Sequence, residues 1–403
     1  MPKEYSLVVI FSVIGASMIL SSCNLISIYL ATELQSFALY IVAALSRNSL
    51  RSVQASLKYF ILGAWSSAFI LLGAGIIYTC TGSTSLVNMS NWISSTSTEP
   101  WSYASLGLMF IYCGYIFKVS AAPFHNWAPD VYQNTPTVVT MMLITIPKIS
   151  IMTALFTLTK EFINTKVMFV LLVVAISSII IGAVTGLVQI QLRRLLAFST
   201  ISHVGFIVLC LSLGTWSSNN ALMFYIVQYS LSTILIWICI IAYEAGEMNR
   251  MRLDGSVTGR VNYISDLRQS FSIYSIVTFS IVISLFSISG LPPLVGFIAK
   301  INVLWSSVEE GAYVIFIIAI MSSVVSASYY LKIIKIIMFD EPSNQNQEFS
   351  VISQKTNNTG DPGASNISPM HALSIATCTA FLSLFILDSE LLINSIELAQ
   401  FTI

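Results

Sequence analysis

Residues 167–190 read VMFVLLVVAISSIIIGAVTGLVQI, a run without a single charged side chain. About 20 consecutive apolar residues in an α-helix cross about 30 Å of hydrocarbon, so this run is long enough to span a bilayer. Runs of the same kind recur from end to end. They occupy approximately residues 5–22, 24–45, 58–80, 103–122, 137–157, 167–190, 195–214, 220–243, 270–289, 311–338 and 369–393, with 291–305 (LPPLVGFIAKINVLW) as the second half of a broken ninth span. Of the 403 residues, 56% are apolar or aromatic and 9% are charged, and the mean hydropathy is +0.82. A soluble domain carries about 25% charged residues, and a chain this poor in charge could not cover its own surface with polar groups. Soluble enzymes, nucleic-acid binders and disordered scaffolds are therefore excluded. Barrel strands would alternate apolar and polar positions over about ten residues, a pattern this sequence lacks. The fold class is an all-α polytopic membrane protein with about eleven transmembrane helices.

Formal net charge is zero, from 18 Lys+Arg against 18 Asp+Glu, so the information lies in placement. An odd number of spans puts the termini on opposite sides. Lys3, Arg47, Arg51, Arg193, Arg194, Arg250, Arg252, Arg260, Arg268, Lys332, Lys335 and Lys355 then share the N-terminal side, and the other side receives Lys160 and Lys166. By the positive-inside rule the N-terminus faces the matrix or cytoplasm. The run Leu20-Ser21-Ser22-Cys23 resembles the end of a lipoprotein signal, but a second apolar segment follows at once, so residues 5–22 are read as a first span. Two polar loops are long. Residues 244–269 carry mixed charge and are expected to include an ordered surface segment; residues 340–368, rich in Asn, Ser, Gln and Pro, read as a flexible linker. The sequons at Asn88, Asn357 and Asn366 do not share one side and are read as chance matches. The six cysteines (Cys23, Cys80, Cys113, Cys210, Cys239, Cys378) show no CxxC spacing, and nearly all lie in or beside apolar runs. No iron–sulfur, zinc or haem ligand set is visible, so no cofactor or metal is expected here and redox chemistry would belong to another chain.

The charges inside the spans carry the functional signal. Glu33 sits mid-span in NLISIYLATELQSFALYIVAAL, Lys58 begins the third span, and Lys118, Lys148 and Lys300 lie within apolar runs. A charge at membrane depth costs about 2.5–3.5 kcal/mol on insertion scales and usually marks an ion or proton pathway. Desolvation favours the neutral amine and a nearby carboxylate favours the ammonium, so a Glu–Lys pair whose separation changes can load and release a proton. The competing reading is a static ion pair with lysines snorkelling to the interface, and for Lys58 the two stand even. Prolines accompany the lysines: Pro123 follows Lys118, Pro147 precedes Lys148, and Pro292-Pro293 precede Lys300. A helix broken at membrane depth is tolerated only against protein or a water-filled cavity. Broken helices at matching places in two halves mark transporters built on inverted repeats. The expected division is 1–157 (spans one to five), 158–338 (spans six to ten), the linker 339–368 and a last helix in 369–403. His125, closing the fourth span, and His203, inside LLAFSTISHVGFIVLCL, are candidate proton relays, each against the alternative of a packing histidine. His371 is expected at the interface, and Asp130 in a loop.

ATELQSFALYI, ASLKYFILGA, FKVSAAPFHNWAPDVYQNTPT, QLRRLLAFSTISHVGF and LPPLVGFIAK together resemble NADH dehydrogenase subunit 2, a family of antiporter-like membrane subunits of respiratory complex I. The resemblance runs from about residue 5 to 335 and looks mitochondrial, closer to plant, fungal or protist versions than to animal ones. It implies a proton-translocating core subunit of NADH:ubiquinone oxidoreductase, a multi-pass protein of the mitochondrial inner membrane with its N-terminus on the matrix side. Its partners would be other membrane-arm subunits and the bilayer, including cardiolipin, with NADH and quinone bound elsewhere. The positions matching Glu33 and Lys118 form the family's central pair. Lys148 matches the link between halves, Lys300 matches the outlet side, and Lys58 and His125 match positions of the hydrophilic axis; His203 matches an S-I-S-H stretch. The family's full fold has fourteen spans and this chain begins at the fourth; loss, separate coding and an incorrect start all remain open. The family's D-V-Y-E-G-[AS]-P-T stretch reads DVYQNTPT here, with Gln133 and Asn134 at variable places of a segment expected to face water. The rival readings are a subunit of a multi-chain cation/proton antiporter, a chloroplast-type complex, and a non-pumping structural subunit.

Overall fold

The computed structural model describes residues 4–46, 49–95, 98–162, 165–254, 261–268, 270, 274–340, 369–385 and 393–398. The helices are α1 (Tyr5–Ser21), α2 (Leu25–Ala44), α3 (Leu50–Thr81), α4 (Leu86–Ser95), α5 (Thr98–Lys118), α6 (Trp127–Asn134), α7 (Thr137–Glu161), α8 (Thr165–Val188), α9 (Leu192–Leu213), α10 (Trp216–Asp254), α11 (Ser275–Ser289), α12 (Val295–Glu309), α13 (Tyr313–Met338) and α14 (Pro369–Leu384). Each predicted span overlaps one of them, with residues 271–273 and 386–392 outside the described residues. Seven helices (α2, α3, α7, α8, α9, α10 and α13) contain stretches long and apolar enough to cross a membrane, and α1, α11 and α14 are shorter apolar helices. Outward faces stay apolar, with Leu7, Phe169, Ile276 and Val324 all exposed, as a lipid solvent requires. The core sits around α9, which is buried along its whole apolar stretch between α6, α8, α10 and α12.

Several boundaries differ from expectation. Helix α3 starts at Leu50, which places Lys58 more than two turns inside the helix rather than at a span edge. Helix α5 stops at Lys118, and residues 119–126, including His125, form the connection to α6. The DVYQNTPT stretch is not a loop throughout, although Gln133 and Asn134 do border an open cavity. Its first half is the end of α6, because Trp127, Ala128, Val131 and Tyr132 repeat at helical spacing and are all buried. Asp130 accordingly lies on a helix, where it pairs with Lys58 and stands 3.9 Å from Arg194. Helix α10 continues through the expected loop to Asp254, since EAGEMNRMRLD is mostly good helix formers. A short turn at Ile264–Leu267 follows, its start held by the Asp266 carboxylate accepting the Asn262 and Tyr263 N–H groups at 3.0 and 2.9 Å. Most of the linker (341–368, with Lys355, Asn357 and Asn366) lies outside the described residues. So do Lys3, Arg47, Arg260 and the side chains of Arg250 and Arg252.

Both helix breaks end in the same way. At the first, Ser120 takes a left-handed φ of 63°, and the Ala121 N–H donates back to the Ile116 carbonyl at 3.1 Å. At the second, Gly290 takes φ 80°, and the Leu291 N–H donates to the Phe286 carbonyl at 3.2 Å. This is the Schellman closure, which satisfies carbonyls that a helix end leaves unpaired. Side chains collect more of them. Trp127 Nε1 donates to the Phe117 carbonyl at 3.1 Å, Ser177 Oγ to the Ala122 carbonyl at 3.2 Å, and Lys300 Nζ to the Ser289 carbonyl at 2.7 Å. Irregular backbone at membrane depth is thereby paired within the protein.

Arg193, assigned by charge counting to the N-terminal side, is only 2% exposed. Its Nη2 donates to Glu244 Oε1 at 2.7 Å and its Nη1 to the Thr135 carbonyl at 3.1 Å. Glu244 also accepts the Thr137 hydroxyl at 2.7 Å and the Val261 N–H at 3.2 Å, which ties α7, α9, α10 and the segment after α10 together. Removing one partner of a buried pair costs about 3–5 kcal/mol, because the other charge is left unpaired. Glu244→Ala should therefore lower the thermal midpoint of the purified chain in detergent by several degrees, more than the paired change Arg193→Met with Glu244→Leu; equal midpoints would show the pair to be dispensable. A steric test is also available, since a Cβ at Gly296 would lie 1.7 Å from the Ser287 carbonyl, whereas one at Gly75 meets nothing within 4 Å. Gly296→Ala should cost about 1–3 kcal/mol and Gly75→Ala nothing, read in the same melting experiment.

Candidate functional site

Glu33 lies on α2 between Ala31 and Gln35, both buried, and points at the end of α5. There Lys118 Nζ donates to Glu33 Oε1 at 2.9 Å and to Ser36 Oγ at 3.4 Å. The side chains are 7% (Lys118) and 16% (Glu33) exposed, so the pair is almost fully withdrawn. Because α5 ends at Lys118, the ammonium sits beside the last turn of the helix, whose carbonyl end favours a cation. A cavity bordered by Gln35, Ser36, Tyr59, Lys118, Trp127 and Pro147 leads from this pair to the proline of α7. Pro147 has no N–H to offer the carbonyl four residues back, and Lys148 follows it. Gln35 fixes α7 to α2 by accepting the Ser150 hydroxyl at 3.0 Å.

Lys148 is buried and has no carboxylate within ion-pair distance among the described residues. Its Nζ donates to the Tyr229 hydroxyl at 3.3 Å and lies 5.9 Å above the Tyr132 ring and 5.6 Å above the Tyr229 ring. A cation over an aromatic face is attracted by the ring quadrupole, so these tyrosines stand where a counterion would. The Tyr229 ring is 5.6 Å from the His203 ring. His203 is buried on α9, with Nδ1 2.7 Å from the Tyr225 hydroxyl and Nε2 3.3 Å from the Tyr330 hydroxyl. Phe206 stacks on Tyr225, and Lys300 Nζ lies 5.9 Å from the Phe206 ring while donating to the Ser289 carbonyl at the second break. The structure thus joins Glu33 to Lys118, and Lys148 through Tyr229 and the Tyr225–Phe206 rings to His203 and Lys300. These two groups form an interior row whose gap, from Lys118 to the proline before Lys148, is bordered by the cavity.

Two candidates stand outside the row. Lys58 forms its ion pair with Asp130 on a flank where both side chains are about two-fifths exposed, 42% and 39%. His125 lies in the 119–126 connection, and no hydrogen bond links it to the row among the described residues. His371 is in the first turn of α14. The hydroxyls of Tyr225, Tyr229 and Tyr330 and the buried Arg193–Glu244 pair were not singled out in the sequence. Tyr225 and Tyr229, four residues apart in an apolar helix and flanking Gln228, are the signal that could have found the first two, since they share one helix face. Among the described residues, no three His, Cys, Asp or Glu side chains converge as a metal site would require.

The family described as NADH:quinone oxidoreductase/Mrp antiporter, TM, matches residues 22–326, a range that contains the whole row. NADH-ubiquinone oxidoreductase chain 2 of Rhizopus oryzae is 40% identical over 412 residues, covering 98% of this chain and 77% of that protein. A chain of respiratory complex I from Thermus thermophilus with bound aureothin superposes with a TM-score of 0.76 at 26% identity, covering 98% of this chain and 80% of that one. A chain of the Mrp complex from Dietzia sp. gives a TM-score of 0.80 at 18% identity, covering 97% and 76%, a likeness of fold alone. With the family match spanning most of the chain and the fungal relative aligned almost end to end, the chain belongs to the antiporter-like membrane subunits of the NADH:quinone oxidoreductase/Mrp antiporter family.

Proposed function

We propose that this chain is a proton-translocating core subunit of NADH:ubiquinone oxidoreductase in the mitochondrial inner membrane, with its N-terminus in the matrix and electron transfer carried by other subunits. The observation that carries this reading is the Glu33–Lys118 pair, a withdrawn carboxylate and ammonium 2.9 Å apart at the end of a broken helix. The fungal relative's name supports the complex, and the arginine-rich helix ends support the orientation.

The residues divide the work as follows. Glu33 holds a proton on Lys118 while the two are in contact. When a change in charge or hydration next door draws them apart, the ammonium loses its partner and the proton leaves across the cavity toward Lys148. The Tyr229 hydroxyl receives hydrogen bonds from Lys148 and can donate in turn, and His203 with Tyr225 and Tyr330 continues the line to Lys300. Lys300 then holds its proton against the Ser289 carbonyl until the outlet opens. Residues 1–157 and 158–338 act as the two half-channels. Their packing is parallel: α1 lies on α2 as α8 lies on α9, and the broken helix α5–α6 lies on α3 as α11–α12 lies on α10. The second reading, a subunit of a multi-chain cation/proton antiporter, draws on the fold shared with the Mrp chain.

Native electrophoresis of detergent-solubilised membranes, with in-gel NADH dehydrogenase staining and mass spectrometry of the stained band, separates these readings. The chain is expected in that band; migration apart from it would favour the antiporter. Within the assembled enzyme, Lys118→Met should lower the proton-to-electron ratio while NADH oxidation continues. An unchanged ratio in a fully assembled complex would reduce the pair to a structural contact. Tyr229→Phe keeps the ring and removes the hydroxyl, and should slow coupled turnover by about tenfold or more if that oxygen relays protons.

A further inference from the structure

A second cavity, of about 450 Å³, lies away from the lysine row. Its lining includes Arg51, Gln133, Gln191, Arg193, Asn262 and Tyr263, with no carboxylate among the described residues. Two long helices begin at its wall. Ser49 and Gln191, also in the lining, are the N-cap residues of α3 and α9, and neither caps its helix with its side chain. Both helices point their positive ends at the cavity; at α9 the Leu192 N–H is already taken by the Asn262 carbonyl at 3.1 Å, whereas the first-turn N–H groups of α3 have no side-chain acceptor from Ser49. Arg51 lies in the first turn of α3 and is exposed, with no ion pair among the described residues. Arg193 contributes from the other side, 2% exposed, with its Nε–H unpartnered although both Nη atoms are engaged.

Among the described residues, the nearby acids Glu244, Asp130 and Asp266 are each engaged. Glu244 is bound to Arg193 and Thr137, Asp130 to Lys58 with Arg194 close by, and Asp266 to the backbone of Asn262 and Tyr263. What remains facing the cavity is guanidinium, amide and helix N-terminus, the donor set that holds an anion with several acceptor oxygens. Leu50, 81% exposed, and Tyr263, 47% exposed, add an apolar rim.

We propose that this cavity binds a phosphate group, between the N-termini of α3 and α9, with Arg51 as its outer clamp. The phosphate is that of a phospholipid headgroup or of a soluble phosphate, and the chemistry of recognition is the same for both. The test uses the full chain, delipidated in a maltoside detergent. Orthophosphate binding is measured by equilibrium dialysis with radiolabelled phosphate, and cardiolipin retention by native mass spectrometry. Saturable orthophosphate binding displaced by cardiolipin at no more than its own concentration points to a lipid source; binding that cardiolipin leaves unchanged points to a soluble one. In either case Arg51→Ala should weaken binding about tenfold, with Arg51→Lys restoring part of it, because one charge-assisted contact is lost. Gln191→Glu, which puts a carboxylate into the cavity, should abolish it. If neither probe binds saturably, or if Arg51→Ala and Gln191→Glu bind as the unchanged chain does, the proposal is overturned.

Discussion

In hydrocarbon a charge or an unpaired backbone group has no water to turn to, and the rest of this structure can be read as the response to that constraint. Each buried cation of the interior row has been assigned a different answer. Lys118 has a carboxylate, Lys148 a hydroxyl and two aromatic faces, and Lys300 the carbonyl at a helix end. The broken helices solve the same problem for the backbone, closing on Ser120 and Gly290 and lending their remaining carbonyls to Trp127, Ser177 and Lys300. The second break thus supplies the partner that makes Lys300 tolerable, so its two costs are met by one contact.

The spans were legible because hydropathy over about 20 residues is a strong, local signal. The Lys and Glu positions were legible because a charge inside such a run has few innocent explanations. Pairing was harder to see. Glu33 and Lys118 are 85 positions apart, and only packing puts α2 beside the end of α5. The burial of Arg193 was out of sight for a related reason. Counting loops assigns a cation to a side of the membrane, but not to the surface or the interior of a helix end, and its partner Glu244 stood in what looked like a loop. Asp130 and the DVYQNTPT stretch were misread because α6 has only two turns, too few for periodicity to stand out beside a proline and an asparagine. The tyrosines were hidden among apolar residues, where an aromatic is normally packing.

Their positions explain why α9 is enclosed on all sides. His203 reaches Tyr225 on α10 and the long side chain of Tyr330 on α13 at once, and the same helix carries Phe206 to Lys300 and Arg193 to Glu244. A helix with this many polar obligations cannot also face lipid. The outer helices, by contrast, keep apolar outward surfaces, and α3 crosses α5 closely at Gly73 and Gly107.

The different partners of Lys118 and Lys300 have an electrical consequence. An ammonium against a carboxylate is a dipole with no net charge, and the transmembrane voltage acts on it only through its short charge separation. An ammonium held by a backbone carbonyl is a monopole, and moving it through the full field costs about 2.3 kcal/mol for every 100 mV. The two halves of the row are therefore unequal as capacitor elements. Motion of the intact Glu33–Lys118 pair is nearly silent to the potential, whereas displacement of an unpaired charge at Lys300, or of a proton released from the separated pair, feels it directly.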